Sequence, residues 1–207
     1  MPYFFVRHGQ TDWNKEKRLQ GIRDIPLNET GLNQARELRK QVEQNNLIFD
    51  KVYTSPLTRA VVTAEMVSNK SRDELIISEK IIEMAFGDYE GVHYNIDPNG
   101  NVSMLEENIV NFGRDPEKYI PSNGETFQEV ISRAREFLID LKNSTDPSEN
   151  VLVVTHGGVI HAIMYNIENR DNLKTFWLPK TGNCVLVRFN SLEPKTEYTI
   201  LSNSVYI

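Results

Sequence analysis

Val151-Leu152-Val153-Val154-Thr155, followed at once by His156-Gly157-Gly158, decides the reading of the fold. Five consecutive apolar or β-branched residues without polar alternation suit a central strand of a parallel sheet, covered on both faces. A helical pattern from about Val159 to Ile167 follows the glycine pair. The same order of strand, turn and helix recurs outward from there. Tyr3 to Val6 reads as a buried strand. Thr30 to Gln44 reads as a helix, with Leu32, Ala35, Leu38 and Val42 near helical spacing. Lys51 to Thr54 is a second strand. Ser55-Pro56 then reads as N-cap and first residue of a helix running to about Ser68. A short strand is expected at Leu75 to Ser78. Glu125 to Leu141 is the clearest helix, with Phe127, Val130, Ile131, Ala134, Phe137, Leu138 and Leu141 on one face. Cys184 to Phe189 and Tyr198 to Leu201 close the chain as two strands, antiparallel across the turn at 191–195.

Alternation of this kind implies an α/β fold in three layers, αβα, with a mostly parallel central sheet and helices on both faces. No repeat, low-complexity tract or linker divides the 207 residues, so residues 1–207 read as a single domain. Residues 92–123 differ: Pro98, Gly100, Gly113, Pro116 and Pro121 interrupt a weak periodicity. They read as an insertion or lid on the core, with a short helix near Ser103 to Asn111. Long irregular segments in compact domains are often functional.

Composition narrows the function classes. Lys plus Arg is 23 against 29 for Asp plus Glu, a formal charge of −6, whereas a nucleic-acid binder needs a basic footprint. The single cysteine, Cys184, excludes an intramolecular disulfide and a cysteine-based zinc site. It sits in a strand-like run and reads as a buried, inert thiol. The opening run Met1-Pro2-Tyr3-Phe4-Phe5-Val6 is too short for a secretory signal. No stretch approaches the roughly 18–20 apolar residues that span a bilayer. The expectation is a soluble cytoplasmic protein with no nucleic-acid or membrane partner.

In open α/β sheets, ligands bind beyond the carboxyl ends of the strands. The residues placed there are Arg7-His8-Gly9, then Ser55-Pro56-Leu57-Thr58-Arg59, then His156-Gly157-Gly158. Two arginines and two histidines thus emerge at one rim. Arg59 lies in the first turn of its helix, where the macrodipole disfavours a cation unless an anion docks there too. A guanidinium fork matches phosphate oxygens. The alternative for Arg59 alone is an exposed residue whose stem lies along the helix.

Arg7-His8-Gly9-Gln10-Thr11 followed by Asn14 resembles the signature of the histidine phosphatase superfamily, also called the phosphoglycerate mutase-like family. The resemblance covers most of the chain. It continues through Leu19-Gln20-Gly21, Pro26-Leu27-Asn28-Glu29-Thr30-Gly31 and Ser55-Pro56-Leu57-Thr58-Arg59-Ala60. Glu83 with Gly87-Asp88-Tyr89-Glu90-Gly91, Gly124-Glu125-Thr126-Phe127 and Val154-Thr155-His156-Gly157-Gly158 complete it. Gln10 departs from the glutamate often found there, which removes a charge near the pocket.

The resemblance implies roles. His8 is the nucleophile that takes the phosphoryl group; Arg7, Arg59 and His156 grip it; Glu83 donates a proton to the leaving oxygen. The phosphate- and substrate-binding set is Arg7, Asn14, Gln20, Gly21, Arg59, His156 and Gly157. No metal or cofactor is implied, because two guanidinium groups and a donor imidazole can supply the charge neutralisation that phosphoryl transfer requires. His8 must be neutral, attacking through one ring nitrogen with the other anchored by a backbone carbonyl. Among nearby acids, Glu79 and Glu90 compete with Glu83 on chemistry alone. His161 reads as structural or supporting, His93 as exposed loop, and Trp13 and Trp177 as packing.

Three functions compete. A phosphatase passes the phosphoryl group to water and acts on small phosphorylated metabolites. A cofactor-dependent phosphoglycerate mutase must hold a bisphosphate, yet residues 92–123 offer Arg114 and Lys118 against Asp97, Glu106, Glu107, Asp115 and Glu117, a local charge of −3. An adaptor that binds phosphorylated partners without turnover would be expected to lose His8 or Glu83. The phosphatase is favoured, with Tyr89, Tyr94, Phe112 and Tyr119 available to line an apolar mouth. The sequence leaves the physiological substrate, and the choice between monomer and dimer, open.

Overall fold

A computed structural model describes residues 2–94, 111–113, 115–176 and 182–201. Its strands are β1 (Tyr3–Arg7), β2 (Lys51–Thr54), β3 (Ile76–Ile77), β4 (Val151–Thr155), β5 (Leu186–Phe189) and β6 (Tyr198–Ile200). They form one sheet in the order β3-β2-β4-β1-β5-β6. The first four positions are parallel, while β5 pairs antiparallel with β1 and β6 with β5. The helices are α1 (Asp12–Lys15), α2 (Glu29–Gln44), α3 (Thr58–Ser68), α4 (Phe127–Ser144) and α5 (Gly157–Ile167).

Strand alternation sorts the core into two layers. Tyr3 and Phe5 of β1 and Val151 and Val153 of β4 pack with Val130, Ala134, Phe137 and Leu141 of α4 and with Ile160 and Ile163 of α5. Phe4, Val6, Leu152 and Val154 face the other way, onto Ala35, Leu38 and Val42 of α2 and Ala60, Val61, Ala64 and Val67 of α3. The expected αβα sandwich is the observed architecture. All five residues of β4 are buried, which explains the unbroken apolar run.

Local chemistry sets the helix ends. The Asn28 side chain accepts the Gly31 N–H at the start of α2, and Thr126 and Glu129 form a reciprocal capping box on α4. The Ser55-Pro56 start is corrected: Leu57 stands at the N-cap of α3 without a side-chain bond, and the helix begins at Thr58. Asp24, from a distant loop, caps it instead, accepting the Thr58 N–H at 2.8 Å and the Thr58 hydroxyl at 2.6 Å. The β5 boundary also shifts. Cys184 has a left-handed φ of 52° and cannot continue a strand, so pairing starts at Leu186. Of the 92–123 segment, residues 92–94, 111–113 and 115–123 are described; the short helix expected from Ser103 lies almost wholly outside the described residues, as does Trp177.

The chain from β1 leads through α2 to β2 on one side, whereas the chain from β4 leads through α5 toward β5 on the other. Helices α2 and α5 cover opposite faces. The carboxyl ends of β1 and β4 therefore border a topological switch point, where an α/β sheet opens a crevice.

Candidate active site

Arg7 is the register partner of Thr155, and the ladder runs one bond further, with the His8 N–H donating to Thr155 O at 2.9 Å. His8 and His156 thus leave the sheet side by side. Their rings lie 5.1 Å apart between centroids, and both residues are buried. His8 Nδ1 stands 2.7 Å from the Gly9 carbonyl. A carbonyl only accepts, so Nδ1 carries the proton and Nε2 keeps its lone pair. Gly9 is held in turn: its N–H donates to Thr63 Oγ1 at 3.1 Å, and the Thr63 hydroxyl donates to the Arg59 carbonyl at 2.7 Å. A Cβ at Gly9 would stand 2.5 Å from Gly31 O, so the turn fits against α2 only as glycine.

Arg59 is fully buried, which removes the exposed-stem alternative. Its Nη1 donates to Arg23 O at 2.6 Å and its Nη2 to Gly21 O at 2.8 Å. Burial lowers its pKa to about 10, opposed by the nearby carboxylates of Glu83 and Asp24, so it remains a cation at neutral pH. Ser55, once freed from helix capping, serves another partner. Its Oγ accepts the Leu57 N–H at 3.3 Å and lies 2.7 Å from His156 Nε2. The hydroxyl can donate to Nε2 or accept from it, and in either case this bond occupies Nε2. His156 Nδ1 and Arg59 Nε are buried and make no hydrogen bond within the described chain. Two buried ring and guanidinium nitrogens without protein partners call for a partner from outside. Burial, followed by the charge of Arg59, lowers the pKa of both His8 and His156 well below the ordinary imidazole value. Both rings are therefore neutral at neutral pH.

Glu83 and Glu90 separate by geometry. Glu83 is almost fully buried; Oε1 accepts from its own neighbour Met84 N at 2.9 Å, and Oε2 faces Gly158 N at 3.4 Å. A Cβ at Gly158 would come within 2.7 Å of Glu83 Oε1, so this glycine makes room for the acid. Glu90 instead braces the neighbouring loop: Oε1 accepts from Ile22 N and Phe86 N, and Oε2 pairs with Arg23 at 3.3 Å. Glu79 is exposed.

The remaining expected binding residues surround this centre. Gly157 lies against Arg7, whose Nε would stand 3.4 Å from a Cβ there. Gly21 has a φ of 55° and would collide with Glu90 Oε1 if it carried a Cβ; its carbonyl anchors Arg59. Gln20 is buried, and its Oε1 has no hydrogen-bond partner among the described residues. The Asn14 side chain caps α1 through Oδ1, which accepts the Thr11 N–H at 3.2 Å. Sequence reasoning missed Asn183, whose Nδ2 donates to His8 O at 2.8 Å and approaches Asn14 Oδ1 at 3.4 Å. The antiparallel partnership of β5 with β1 places the residues before β5 beside those after β1. It also missed Thr63 and the bond between Ser55 and His156.

Other readings resolve differently. Tyr89, Tyr94 and Phe112 are partly buried and pack on the core, and Tyr119 belongs to it. Phe112 meets Phe86, Tyr119 and Phe127 at centroid distances of 5.0, 5.3 and 5.3 Å. Phe86, Phe112, Tyr119 and Phe127 thus form a packed aromatic cluster. Burial pushes the Cys184 thiol up to about 12, consistent with an inert group. His161 is buried within α5 and His93 is exposed, its Nδ1 3.0 Å from Glu16 O. Trp13 packs against Gly91 and Arg18. Among the described residues no cluster of three or more His, Cys, Asp or Glu could hold a metal ion, and no helix is long and apolar enough to cross a membrane.

Comparison with known proteins bears on this geometry. The family model of the histidine phosphatase superfamily (branch 1) matches residues 3–203. The uncharacterized phosphatase PhoE of Bacillus subtilis is 36% identical over 80% of this chain and 77% of its own length. A metal-independent phosphoserine phosphatase of Arabidopsis thaliana is 32% identical over 78% of this chain and 66% of its own. A 2,3-bisphosphoglycerate-dependent phosphoglycerate mutase of Bradyrhizobium diazoefficiens is 28% identical over 79% of both chains. Among solved structures, Bacillus stearothermophilus YhfR superposes with a TM-score of 0.80 at 29% identity, over 96% of this chain and 95% of that one. With the motif set in order and the two histidines and Arg59 brought to one buried rim, the chain belongs to branch 1 of the histidine phosphatase superfamily and is an enzyme of phosphate esters.

Proposed function

We propose that the protein is a metal-independent phosphomonoesterase that works through a phosphohistidine on His8 and hydrolyses small phosphorylated metabolites. The observation that carries this reading is the His8–Gly9 bond, which fixes a neutral tautomer with the Nε2 lone pair free for attack. His8 Nε2 attacks phosphorus and the bond to the leaving oxygen breaks. Glu83 delivers a proton to that oxygen. Arg7, Arg59 and His156 Nδ1–H hold the phosphoryl oxygens as charge redistributes, with Asn14 as a further donor. Water then attacks phosphorus, the P–N bond breaks, and Glu83 takes the water proton. Gln20, Gly21 and Gly157 shape the pocket around the ester.

The relative named a metal-independent phosphoserine phosphatase supports both the absence of a metal and a small carboxylated phosphomonoester as substrate class. The relative named a mutase keeps a second arm in the test. Free phosphate release is to be measured over a metabolite panel that includes phosphoserine, with and without EDTA. 3-Phosphoglycerate is then supplied with and without 2,3-bisphosphoglycerate. Phosphate release that is indifferent to EDTA is expected. Isomerisation of phosphoglycerate faster than hydrolysis of any panel member would replace the phosphatase reading with the mutase. Activity lost to chelator and restored by a divalent ion would overturn the metal-free mechanism.

A further inference from the structure

Glu83 stands on an irregular segment, 79–86, which no strand ladder aligns. The segment is nonetheless gripped from α4. Arg133 forms a two-pronged pair with Glu125, Nε to Oε1 at 2.8 Å and Nη2 to Oε2 at 3.0 Å. Its third nitrogen, Nη1, donates to the Lys80 carbonyl at 2.9 Å. Glu125 Oε2 also accepts the Ala85 N–H at 2.9 Å, while the Glu125 N–H donates back to Ala85 O at 2.8 Å. The backbone is thus pinned three residues before Glu83 and two residues after it. Both side chains are largely covered, at 16% and 25% exposure. Arg133 spends all three nitrogens in this way, and a bidentate guanidinium–carboxylate pair fixes orientation as well as charge. A Cβ at Gly124 would stand 2.5 Å from Ala85 O, so the two segments approach as closely as glycine allows.

We propose that Glu125 and Arg133 are positioning residues for the proton donor: together they hold the 80–85 backbone so that the Glu83 carboxyl meets the leaving oxygen. This rests on the reading of Glu83 as general acid. The clamp makes no hydrogen bond to His8 or to the phosphate grip; the Arg133 charge is among those that lower the His156 pKa, and the charge-preserving Arg133→Lys controls for that effect. Loosening the clamp should therefore impair protonation of the leaving group and spare phosphate binding. The cost should appear with alkyl phosphates, whose leaving oxygen needs a proton, and should be small with p-nitrophenyl phosphate.

The test compares Arg133→Met, Arg133→Lys and Glu125→Gln with the parent and with Glu83→Gln. For the clamp variants we expect roughly a tenfold or greater loss of kcat/KM on an alkyl phosphate, within the range of general-acid catalysis. The kcat/KM for p-nitrophenyl phosphate, which excludes the later hydrolysis of the phosphohistidine, should change less than about twofold, and the vanadate inhibition constant should be unchanged. Arg133→Lys should recover little, because a point charge cannot hold two carboxylate oxygens and a carbonyl together. In the Glu83→Gln background, Arg133→Met should add no further loss on the alkyl substrate. Glu125→Gln, nearly isosteric, keeps the test open if Arg133→Met folds poorly. Equal loss of kcat/KM on both substrates, weaker vanadate binding, or additive losses with Glu83→Gln would overturn the clamp and leave Glu83 standing. If Glu83→Gln itself lowers kcat/KM equally on both substrates, the acid assignment falls and the clamp proposal with it.

Discussion

The rim formed by β1 and β4 and the segment that carries Glu83 hold their side chains by different means. His8 and His156 follow directly on paired strands, and the last ladder bond belongs to His8 itself. Their positions are set by main-chain register, which a one-residue slip would ruin for the whole core. Glu83 follows a short 3₁₀ turn at Glu79–Ile81 and depends on side chains from elsewhere: Thr155 Oγ1 donating to Ile81 O, and the Glu125–Arg133 pair. On the proposed mechanism the rim grips the phosphate, and the segment supplies a proton donor whose placement rests on side chains rather than on the sheet.

The rim predicts the largest effect. His8→Ala should abolish turnover, because the neighbouring imidazole, His156, is held by Ser55 through Nε2 and cannot take over as nucleophile. Protein-bound phosphate that is acid-labile and alkali-stable should appear in the parent after rapid quench and be missing in the mutant. Steady turnover by a folded His8→Ala protein would break the comparison at its root.

Glu83→Gln comes next, with a loss of about 10²–10⁴ in kcat/KM on alkyl phosphates and much less on p-nitrophenyl phosphate. A pH–rate series sharpens this assignment. Because burial and Arg59 lower the pKa of His8, the nucleophile stays neutral well below pH 6.5, and the acid limb of kcat/KM should lie below the ordinary imidazole range. An acid limb centred near 6.5 would contradict the buried His8. If Glu83 is the acid, its variant should lose the alkaline limb.

Arg59→Lys should cost roughly 10²-fold in rate, on the scale of a lost oxyanion donor, because the lysine cannot reach Gly21 O, Arg23 O and a phosphate oxygen from one plane. Kinetics equal to the parent would remove Arg59 from the pocket.

Stability should track the buried imidazoles. His8, His156 and His161 all have lowered pKa values in the fold, His161 to about 3 through burial and the charges of Arg7 and Arg170. Below the unfolded value near 6.5 the unfolded chain binds protons that the native chain refuses. Stability is therefore complete above about pH 6.5 and falls as the pH drops toward the folded values, by up to about 1.4 kcal/mol per pH unit for each histidine. Urea titrations at pH 7.5, 6 and 5 check this; unchanged midpoints would show these rings to be solvated.

The smallest effect concerns the link between rim and helix. Thr63→Val leaves the Gly9 N–H without its acceptor and should destabilise by about 1–3 kcal/mol, whereas Thr63→Ser should lose far less. A well-folded valine variant with parent activity would show that Gly9 needs no such support.

Much of this was legible beforehand because it rests on local pattern. The unbroken apolar run of β4, the alternation of strand with amphipathic helix, and the polar residues behind each strand define the sheet and its functional rim without tertiary information. Boundaries that depended on a distant partner were not legible. Ser55-Pro56 has the composition of a helix start, but Asp24 caps that helix and Ser55 turns to His156. Nor was the packing of the aromatics: Phe112 meets Phe86 and Phe127, Tyr119 meets Phe127, and Tyr89 meets Tyr119.

The sequence by itself determined the αβα architecture and which residues emerge at the rim, because strand and helix periods and the order of elements are local properties of the chain. Tertiary structure alone decided which nitrogen of each histidine is free, that Arg59 is wholly buried, that Glu83 rather than Glu90 is unencumbered by the neighbouring loop, and that Asn183, Thr63 and Arg133 take part. Those outcomes depend on hydrogen bonds and desolvation between residues far apart in the chain, and no local pattern encodes which donor meets which acceptor once the layers close.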